Sequence, residues 1–307
     1  MQSATSSANY ETRAPFRRHR RADERIELLG QPMDLMKPAE VFHQVARRLH
    51  EGQRTIVANH NLHSLAIARK NRAFREFFSM ADLIQVDSIP LIYWAQLTAG
   101  RGRRFHRCTY LDWRDAFWER AQADGWRVFF IGGRPGVGER ARARILARWP
   151  KTQLAVRHGF FDAAPDSLEN GALHQAIAAF RPHILLVGMG MPRQELWVMQ
   201  NLPRLEPCAI FTVGAAFDYE AGIQAACPRW IGRIGAEWLF RLALNPMRLG
   251  RRYLLEPLSL LDLAARDLIR LAARKLAGPG RPAPLPPVSS PPTVGLGPEP
   301  HAGKRDS

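Results

Sequence analysis

The sequence predicts an α/β protein built on a parallel sheet with helices on both faces. Short apolar runs typical of buried strands alternate along the chain with longer segments of helical spacing, which is the pattern of such a fold. Hydrophobic residues make up 46% of the 307 residues and charged residues 23%, so a sizeable core can form. No uncharged apolar run reaches the ~18 residues that a membrane-spanning helix needs.

The predicted elements follow one another in a Rossmann-like series. The strands are Thr55–Ala58, Leu83–Asp87, Val128–Ile131, Leu154–Val156, Ile184–Val187 and Ala209–Val213. The helices between them are one through Leu65 and Ala68, then Ile89–Ala99, Asp112–Asp124, Glu139–Trp149, Ser167–Phe180 and Glu195–Asn201. Gly125 ends the third helix and Pro150 the fourth. Ligands of such sheets bind at the carboxyl ends of the strands, so polar residues just beyond each strand are the first functional candidates.

Composition divides the chain into four segments. Residues 1–24 are rich in Ser, Thr and Arg with little that packs, and we expect no structure there. Residues 25–225 hold the predicted sheet. Residues 226–277 carry ten basic and four acidic residues, +6 of the net charge of +16. A segment with this positive charge suits binding to nucleic acid, anionic lipid or a diphosphate, although a solvated surface explains the charge as well. Nine Pro and five Gly in residues 278–307 predict a flexible tail.

Two strand ends carry polar side chains. Asp87 ends the second strand, just before Ser88 and the next helix, so it is either a catalytic carboxylate or a helix cap; taken alone, the cap is favoured. Asn59 and Asn61 follow the first strand, where their amides either bind a sugar or base or cap the next helix.

Glycine-rich turns follow three other strands. Gly132 and Gly133 resemble a phosphate loop without matching a known one, and an ordinary strand-to-helix turn explains them equally well. In the run Gly188–Glu195, two glycines permit close approach of a ligand, and Gln194 and Glu195 fall in the first turn of a helix. The turn after the last strand carries another carboxylate, Asp218.

The absence of several sequence motifs narrows the functional class of the protein. There is no DxD, so a metal–nucleotide site has no obvious ligands, and we expect neither a metal nor a cofactor. The lack of HExxH, GxSxG and GxxxxGK[ST] excludes metalloproteases, α/β-hydrolases and P-loop enzymes. Cys108, Cys208 and Cys227 form no CxxC pair, which argues against disulfides and structural zinc and indicates a reducing cytoplasm. The basic N-terminus lacks the apolar stretch of a secretory signal.

Together these motifs resemble the WecG/TagA/CpsF family, glycosyltransferase family 26, over roughly residues 27–255. The matching blocks, in family order, are Asn59–Asn61, Ala81–Pro90, Gly132–Pro135, Gly159–Phe161, Gly188–Glu195, Val213–Gly222, Pro228–Trp230, Gly235–Leu242, and Asn245–Arg248 with Arg252–Tyr253.

The resemblance implies an inverting, metal-independent transfer of an N-acetylmannosamine-type sugar or related hexose from a UDP-sugar. The acceptor implied is a sugar on undecaprenyl diphosphate, used in building bacterial surface polysaccharide. Asp87 becomes the catalytic base, Asn61 and Gln194 line the pocket, and Arg107 binds substrate phosphate. Asn59, Gly132, Gly133, Glu195 and Asp218 complete the predicted substrate-binding residues.

The resemblance also makes the basic C-terminal segment a membrane-docking appendage that folds over the site. Arg241, Arg248, Arg251 and Arg252 would meet anionic lipid or the acceptor diphosphate. Leu258, Leu261, Leu268 and Leu271 share one sector of a helix beginning near Pro257, and amphipathicity alone favours packing of that sector on the core.

We therefore expect a cytoplasmic protein, peripheral on the inner face of the cell membrane, that binds no nucleic acid; whether it forms a homo-oligomer is left open. Two alternatives remain at this stage. A basic nucleic-acid-binding protein would leave the strand-end motifs without a role. Another nucleotide-dependent enzyme, such as a dehydrogenase, would lack the expected GxGxxG.

Overall fold

A computed structural model describes residues 25–276 except Ile234, and within this range a six-stranded parallel sheet carries helices on both faces. The strands of this sheet are β3 (Thr55–His60), β4 (Leu83–Val86), β5 (Arg127–Gly132), β6 (Gln153–Arg157), β7 (Ile184–Gly188) and β8 (Ala209–Thr212). They lie in the order β4-β3-β8-β7-β5-β6. A separate antiparallel hairpin consists of β1 (Arg25–Leu28) and β2 (Gln31–Asp34).

The described helices alternate with these strands and then continue beyond the sheet. They are α1 (Pro38–His50), α2 (Leu62–Lys70), α3 (Arg72–Met80), α4 (Ile89–Ala99), α5 (Tyr110–Ala123), α6 (Val137–Arg148), α7 (Leu168–Phe180), α8 (Arg193–Asn201), α9 (Ala216–Glu220), α10 (Arg229–Arg233), α11 (Glu237–Leu244), α12 (Pro246–Gly250) and α13 (Leu261–Leu276). A π-helical turn, Arg251–Leu255, and a 3₁₀ segment, Glu256–Leu260, join α12 to α13.

The predicted α/β class is confirmed, and all six predicted strands are present. The structure adds the β1–β2 hairpin and the helices α1 and α3. The β4 edge of the sheet is closed by a carboxylate from the hairpin: Asp34 accepts the backbone N–H of Ile84 at 2.7 Å and pairs with Arg25 at 2.9 Å. Four-residue strands containing a proline, as in β2, have too little alternation to be recognised from the sequence.

Core packing explains why both faces of the sheet are apolar. One face of the strands packs under α1, α5, α6 and α9, with Phe42, Trp113 and Phe117 at its centre. The other face packs under α3, α7 and α8 through side chains such as Phe77 and Trp197. Strands buried on both faces read as continuous apolar runs, and this is why the sequence revealed them.

The C-terminal segment, which comprises residues 226–276, returns to the sheet edge formed by β4. Leu260 is buried in a third apolar cluster with the hairpin and α4. In α13 the buried carboxylate of Asp267 accepts the backbone N–H of Leu29 at 2.9 Å and the Trp94 indole N–H at 3.0 Å. These contacts fix α13 against the edge of the sheet.

The apolar sector predicted for the C-terminal helix is not the sector that packs. Leu258, Leu261 and Leu268 are exposed, whereas Leu263 and Ala264 lie against the core together with Asp267. Packing of the leucine sector on the core, which amphipathicity alone favoured, is therefore wrong, because a buried aspartate bonded to two distant groups stands in the packed face instead. Membrane docking by this segment stays a prediction. Among the described residues, none of the helices has the length and apolar character to cross a membrane. The predicted unstructured segments 1–24 and 278–307 lie outside the described residues.

Candidate active site

The carboxyl ends of β3, β4, β7 and β8 open into a cavity of about 400 Å³. Loops after these strands, the start of α5 and the C-terminal segment all contribute lining residues. Its lining residues include Asn59, Asn61, His63, Asp87, Gly190, Gly214, Tyr219, Glu237, Arg241, Arg251, Arg252 and Glu256. The site thus lies where parallel sheets bind their ligands, and the C-terminal segment covers it.

Asp87 lies in this cavity and is not a helix cap. The all-buried strand Leu83–Val86 ends one residue before it, and Ser88 occupies the cap position of α4. The half-buried carboxylate of Asp87 accepts no hydrogen bond from the residues that the structure describes. Burial, followed by the charge of Glu237, raises the pKa of Asp87 to about 6, against the opposing effect of Arg241, Arg107 and Arg252. A carboxylate with this pKa is mostly ionised at neutral pH and basic enough to accept a proton.

Two asparagines at the end of β3 line the same cavity as this carboxylate. Asn61 caps α2, because its Oδ1 accepts the N–H of Ser64 at 3.0 Å, and it also lines the cavity. The cap and the binding role are therefore compatible, with the Asn61 amide N–H₂ left for a ligand. Asn59 donates through Nδ2 to the carbonyl of Thr212 at 3.1 Å, and its buried Oδ1 has no partner in the described residues.

Three of the four predicted arginines line the part of the cavity wall that the C-terminal segment forms: Arg241, Arg251 and Arg252. Arg241 stacks on the ring of Tyr219, 5.5 Å from its centre, and donates to the Tyr219 hydroxyl. The buried Nε of Arg252 has no partner within the described part of the chain, and burial lowers the pKa of this guanidinium. The side chain of Arg248 lies outside what the structure describes. A wall of this kind suits a strongly anionic ligand such as a diphosphate.

Arg107 lies behind this wall. Its guanidinium donates to Asp112 at 2.9 and 3.1 Å, to the carbonyl of Gly232 at 3.2 Å and to Glu237 at 3.4 Å. Arg107 is buried and is absent from the cavity lining. Its contacts connect the sheet edge to the C-terminal segment, so it acts on the cavity by holding Glu237 and by its charge, which lowers the pKa of Asp87.

Gln194 and Glu195 fall in the first turn of α8, as predicted, but both are buried outside the cavity lining. The side-chain oxygen of Gln194, Oε1, accepts the backbone N–H groups of Gly190 at 3.3 Å and Gly214 at 3.2 Å. Both glycines line the cavity. The Gln194 amide donates to Glu195 at 2.7 Å, while burial raises the pKa of Glu195 to about 7. Gln194 therefore shapes the cavity by connecting two of its loops.

The remaining predicted residues, Gly132, Gly133 and Asp218, also lie outside the lining. A Cβ on Gly132 would stand 2.3 Å from the carbonyl oxygen of Gly188, so close packing of the two strand ends explains this glycine. Gly133 has φ +67°, which favours glycine. Asp218 is half-buried in α9, beside Tyr219, which does line the cavity.

Several lining residues were not singled out from the sequence, among them His63, Glu237 and Glu256. His63 Nδ1 and Glu256 Oε2 lie 2.5 Å apart and connect α2 to the 3₁₀ segment. Glu237 pairs with Arg107 at 3.4 Å and with Arg241 at 3.5 Å. Glu237 belongs to one of the matched blocks, which was the available signal; nothing in the sequence connects His63 with Glu256, 193 residues away. Within the described residues, no three His, Cys, Asp or Glu side chains are grouped to hold a metal ion.

A parallel sheet with a cavity at the carboxyl ends of its strands, lined by a carboxylate and several arginines, defines an α/β protein with a site for an anionic ligand. The chain belongs to the glycosyl transferase WecG/TagA/CpsF family, whose model matches residues 26–274. It is therefore a glycosyltransferase, and the family predicted from the motifs is confirmed.

Similar proteins include two from Staphylococcus aureus, strains MRSA252 and NCTC 8325 / PS 47. Both are named N-acetylglucosaminyldiphosphoundecaprenol N-acetyl-beta-D-mannosaminyltransferase. Each is 26% identical to this chain over 211 residues, which is 66% of this chain and 80% of the relative.

Proposed function

We propose that this glycosyltransferase moves a sugar from a UDP-sugar to a sugar linked to undecaprenyl diphosphate, with inversion and without a metal ion, in the synthesis of bacterial surface polysaccharide. The observation that carries this proposal is the cavity that Asp87 lines together with Arg241, Arg251 and Arg252. One carboxylate and a wall of arginines are what inverting transfer between two diphosphate-bearing substrates requires.

The transfer proceeds by a single displacement. The ionised carboxylate of Asp87 takes the proton of the acceptor hydroxyl as that oxygen attacks the anomeric carbon. The new carbon–oxygen bond forms while the bond from the anomeric carbon to the diphosphate breaks, and UDP leaves with the electron pair. Arginines offset the negative charge of the departing UDP. Attack from the side opposite the leaving group inverts the anomeric configuration.

The donor sugar is of the N-acetylmannosamine type and the acceptor carries N-acetylglucosamine. The names of the relatives support both assignments, since they specify an N-acetylmannosaminyl group and an N-acetylglucosaminyl-diphosphoundecaprenol acceptor. Asn59 and Asn61 supply neutral amide groups at the cavity, and such groups suit sugar hydroxyls and acetamido groups.

The C-terminal segment attaches the enzyme to the inner face of the cell membrane, where a polyprenyl-linked acceptor is embedded. Its outer surface exposes large apolar side chains, among them Trp230, Leu239, Leu244, Met247, Leu254, Leu255, Leu258 and Leu261. Exposed apolar groups on a segment of charge +6 are typical of helices that lie in the interface of an anionic bilayer.

A panel of UDP-sugars and other nucleotide sugars tests the reaction. Each is offered with a short-chain polyprenyl-diphosphate N-acetylglucosamine and, separately, with an acceptor that lacks the diphosphate. The expected product has the mass of the acceptor plus one N-acetylhexosamine, formed from UDP-N-acetylmannosamine, with UDP released in equal amount. A product formed only with a nucleotide sugar that is not a UDP-sugar would overturn the donor assignment. Transfer only to acceptors without a diphosphate would overturn the acceptor assignment.

A further inference from the structure

A surface on the sheet-edge helix α4 and the loop after it combines exposed aromatic and apolar groups with arginines. We call Tyr93, Leu97, Arg103, Arg104 and Phe105 the basic–aromatic patch. The side chains of Tyr93, Leu97 and Phe105 are 42%, 56% and 52% exposed. Tyr93 and Leu97 are four residues apart in α4 and so share one face of the helix. Arg104 donates to the Tyr93 hydroxyl from Nε at 3.1 Å and from Nη2 at 2.7 Å, which holds the loop against α4.

The patch is positively charged. In the part of the chain that the structure describes, neither Arg103 nor Arg104 pairs with an acidic side chain, and both are exposed. Lys37 adds a third positive charge, with its Nζ 4.8 Å from the centre of the Phe105 ring. An acidic residue, Glu40, lies near Lys37, and its carboxylate accepts the Lys37 backbone N–H at 2.8 Å. Cations interleaved with exposed aromatic rings favour an anionic partner that also has an apolar layer.

The patch lies at the same end of the sheet as the cavity. Arg107 pairs with Val86 in an isolated parallel β-bridge, and Cys108 donates its backbone N–H to the carbonyl of Val86 at 2.8 Å. The loop that carries Phe105 therefore runs to the end of β4, next to Asp87. Trp94, beside Tyr93 in α4, bonds Asp267 of α13, so the patch also adjoins the C-terminal segment.

We propose that the basic–aromatic patch is a second membrane-contacting surface, which binds the anionic headgroups and interfacial layer of a lipid bilayer. The inference rests on the membrane attachment in the proposed function and extends it from the C-terminal segment to the core. Tyr and Phe rings beside arginines are typical groups of a membrane interface. Two contacts, one on the core and one on the C-terminal segment, hold the cavity in one orientation toward the bilayer, whereas one contact would leave the core free to turn.

Vesicle sedimentation tests the charge contribution. The double variant R103E/R104E is compared with wild type on vesicles of phosphatidylcholine with phosphatidylglycerol and on phosphatidylcholine alone. The double reversal removes two positive charges and adds two negative ones near an anionic surface, so binding to the anionic vesicles is expected to weaken by more than about 30-fold. The matched control R140E/R157E reverses two exposed arginines near the opposite edge strand, β6, and is expected to bind much closer to wild type.

A fluorescent label tests the position of the patch. The three native cysteines are buried, so a polarity-sensitive dye attached to L97C reports on that site. Its emission is expected to shift to the blue on anionic vesicles, while the same dye on K151C, at the amino end of β6, is expected not to shift.

The outcomes separate this inference from the proposed function. If wild type binds anionic vesicles and R103E/R104E binds equally well, the patch does not contact lipid and the inference is wrong. The same holds if the variant changes only the oligomeric state, since the patch would then join copies of the chain. If wild type itself does not bind, both the proposed attachment and the patch are overturned. Transfer to a short-chain acceptor in solution, which needs no bilayer, tests the proposed reaction separately.

Discussion

Asp87 is the residue on which the proposed chemistry depends, and replacing it with Asn tests this directly. D87N keeps the shape of the side chain but cannot accept the acceptor's proton. Loss of a positioned general base is expected to lower turnover ~10²–10⁴-fold. Circular dichroism should match wild type, because Asp87 caps no helix. S88A is the neighbouring control and should retain most of the activity; D87N with near-wild-type turnover would show that another group removes the proton.

Burial raises the pKa of Asp87 most, and the charge of Glu237, which lines the same cavity, raises it further. Removal of the Glu237 charge also frees Arg107 and Arg241, which lower that pKa. The base is inactive when protonated, so kcat/KM of wild type should fall as the pH drops through about 6. In E237Q the pKa of Asp87 is lower, and this acidic limb should move to lower pH.

The control for this pH profile is E256Q. Glu256 lines the same cavity but pairs with His63, and its charge is not among the influences on Asp87. The acidic limb of E256Q should coincide with that of wild type. An E237Q profile that also coincides with wild type would mean that the two carboxylates are not coupled.

At the scale of elements, α13 is held to the core by one buried carboxylate. D267A leaves the N–H groups of Leu29 and Trp94 without their acceptor, at a cost of about 1–3 kcal/mol for each donor that stays buried. We expect the amides of α13 and of the β1–β2 hairpin to exchange hydrogen faster, with β5 and β7 unchanged, as measured by hydrogen–deuterium exchange mass spectrometry.

R266A is the matched control on the same helix. Arg266 is exposed and lies 3.9 Å from Asp262, so its removal should leave the exchange of α13 near the wild-type rate. Equal protection of α13 in D267A and wild type would show that apolar packing through Leu260 and Leu263 suffices to hold the helix.

At the scale of the whole molecule, positive groups have to offset the negative charge of the leaving UDP. We assign this role to the arginines of the C-terminal segment. Turnover is therefore expected to survive EDTA at constant ionic strength, as followed by UDP release. The chain has no DxD motif that would supply the usual metal ligands. Inhibition by EDTA that Mg²⁺ or Mn²⁺ reverses would show that a metal carries this charge instead.

The sequence alone was sufficient for the features that local pattern encodes. The strands of the parallel sheet are buried on both faces, so they are continuous apolar runs that need no knowledge of their neighbours. The same locality placed Asp87 at a strand end, and the carboxyl ends of parallel strands meet at one edge of the sheet. The motif blocks, read in order, then predicted the family that the comparison confirmed.

Side-chain partners were decided by the tertiary structure. Arg107 was predicted to bind phosphate, yet its guanidinium is occupied by Asp112 and by Glu237, 130 residues later in the chain. Gln194 was predicted to line the cavity, yet it lies behind two loops that it joins. The face of α13 that packs on the core was decided by a hydrogen bond to Asp267 from the backbone N–H of Leu29, 238 residues earlier in the chain. Strand character depends on a residue's near neighbours in the chain, whereas a polar side chain takes its role from whichever distant donor or acceptor the fold brings within ~3 Å.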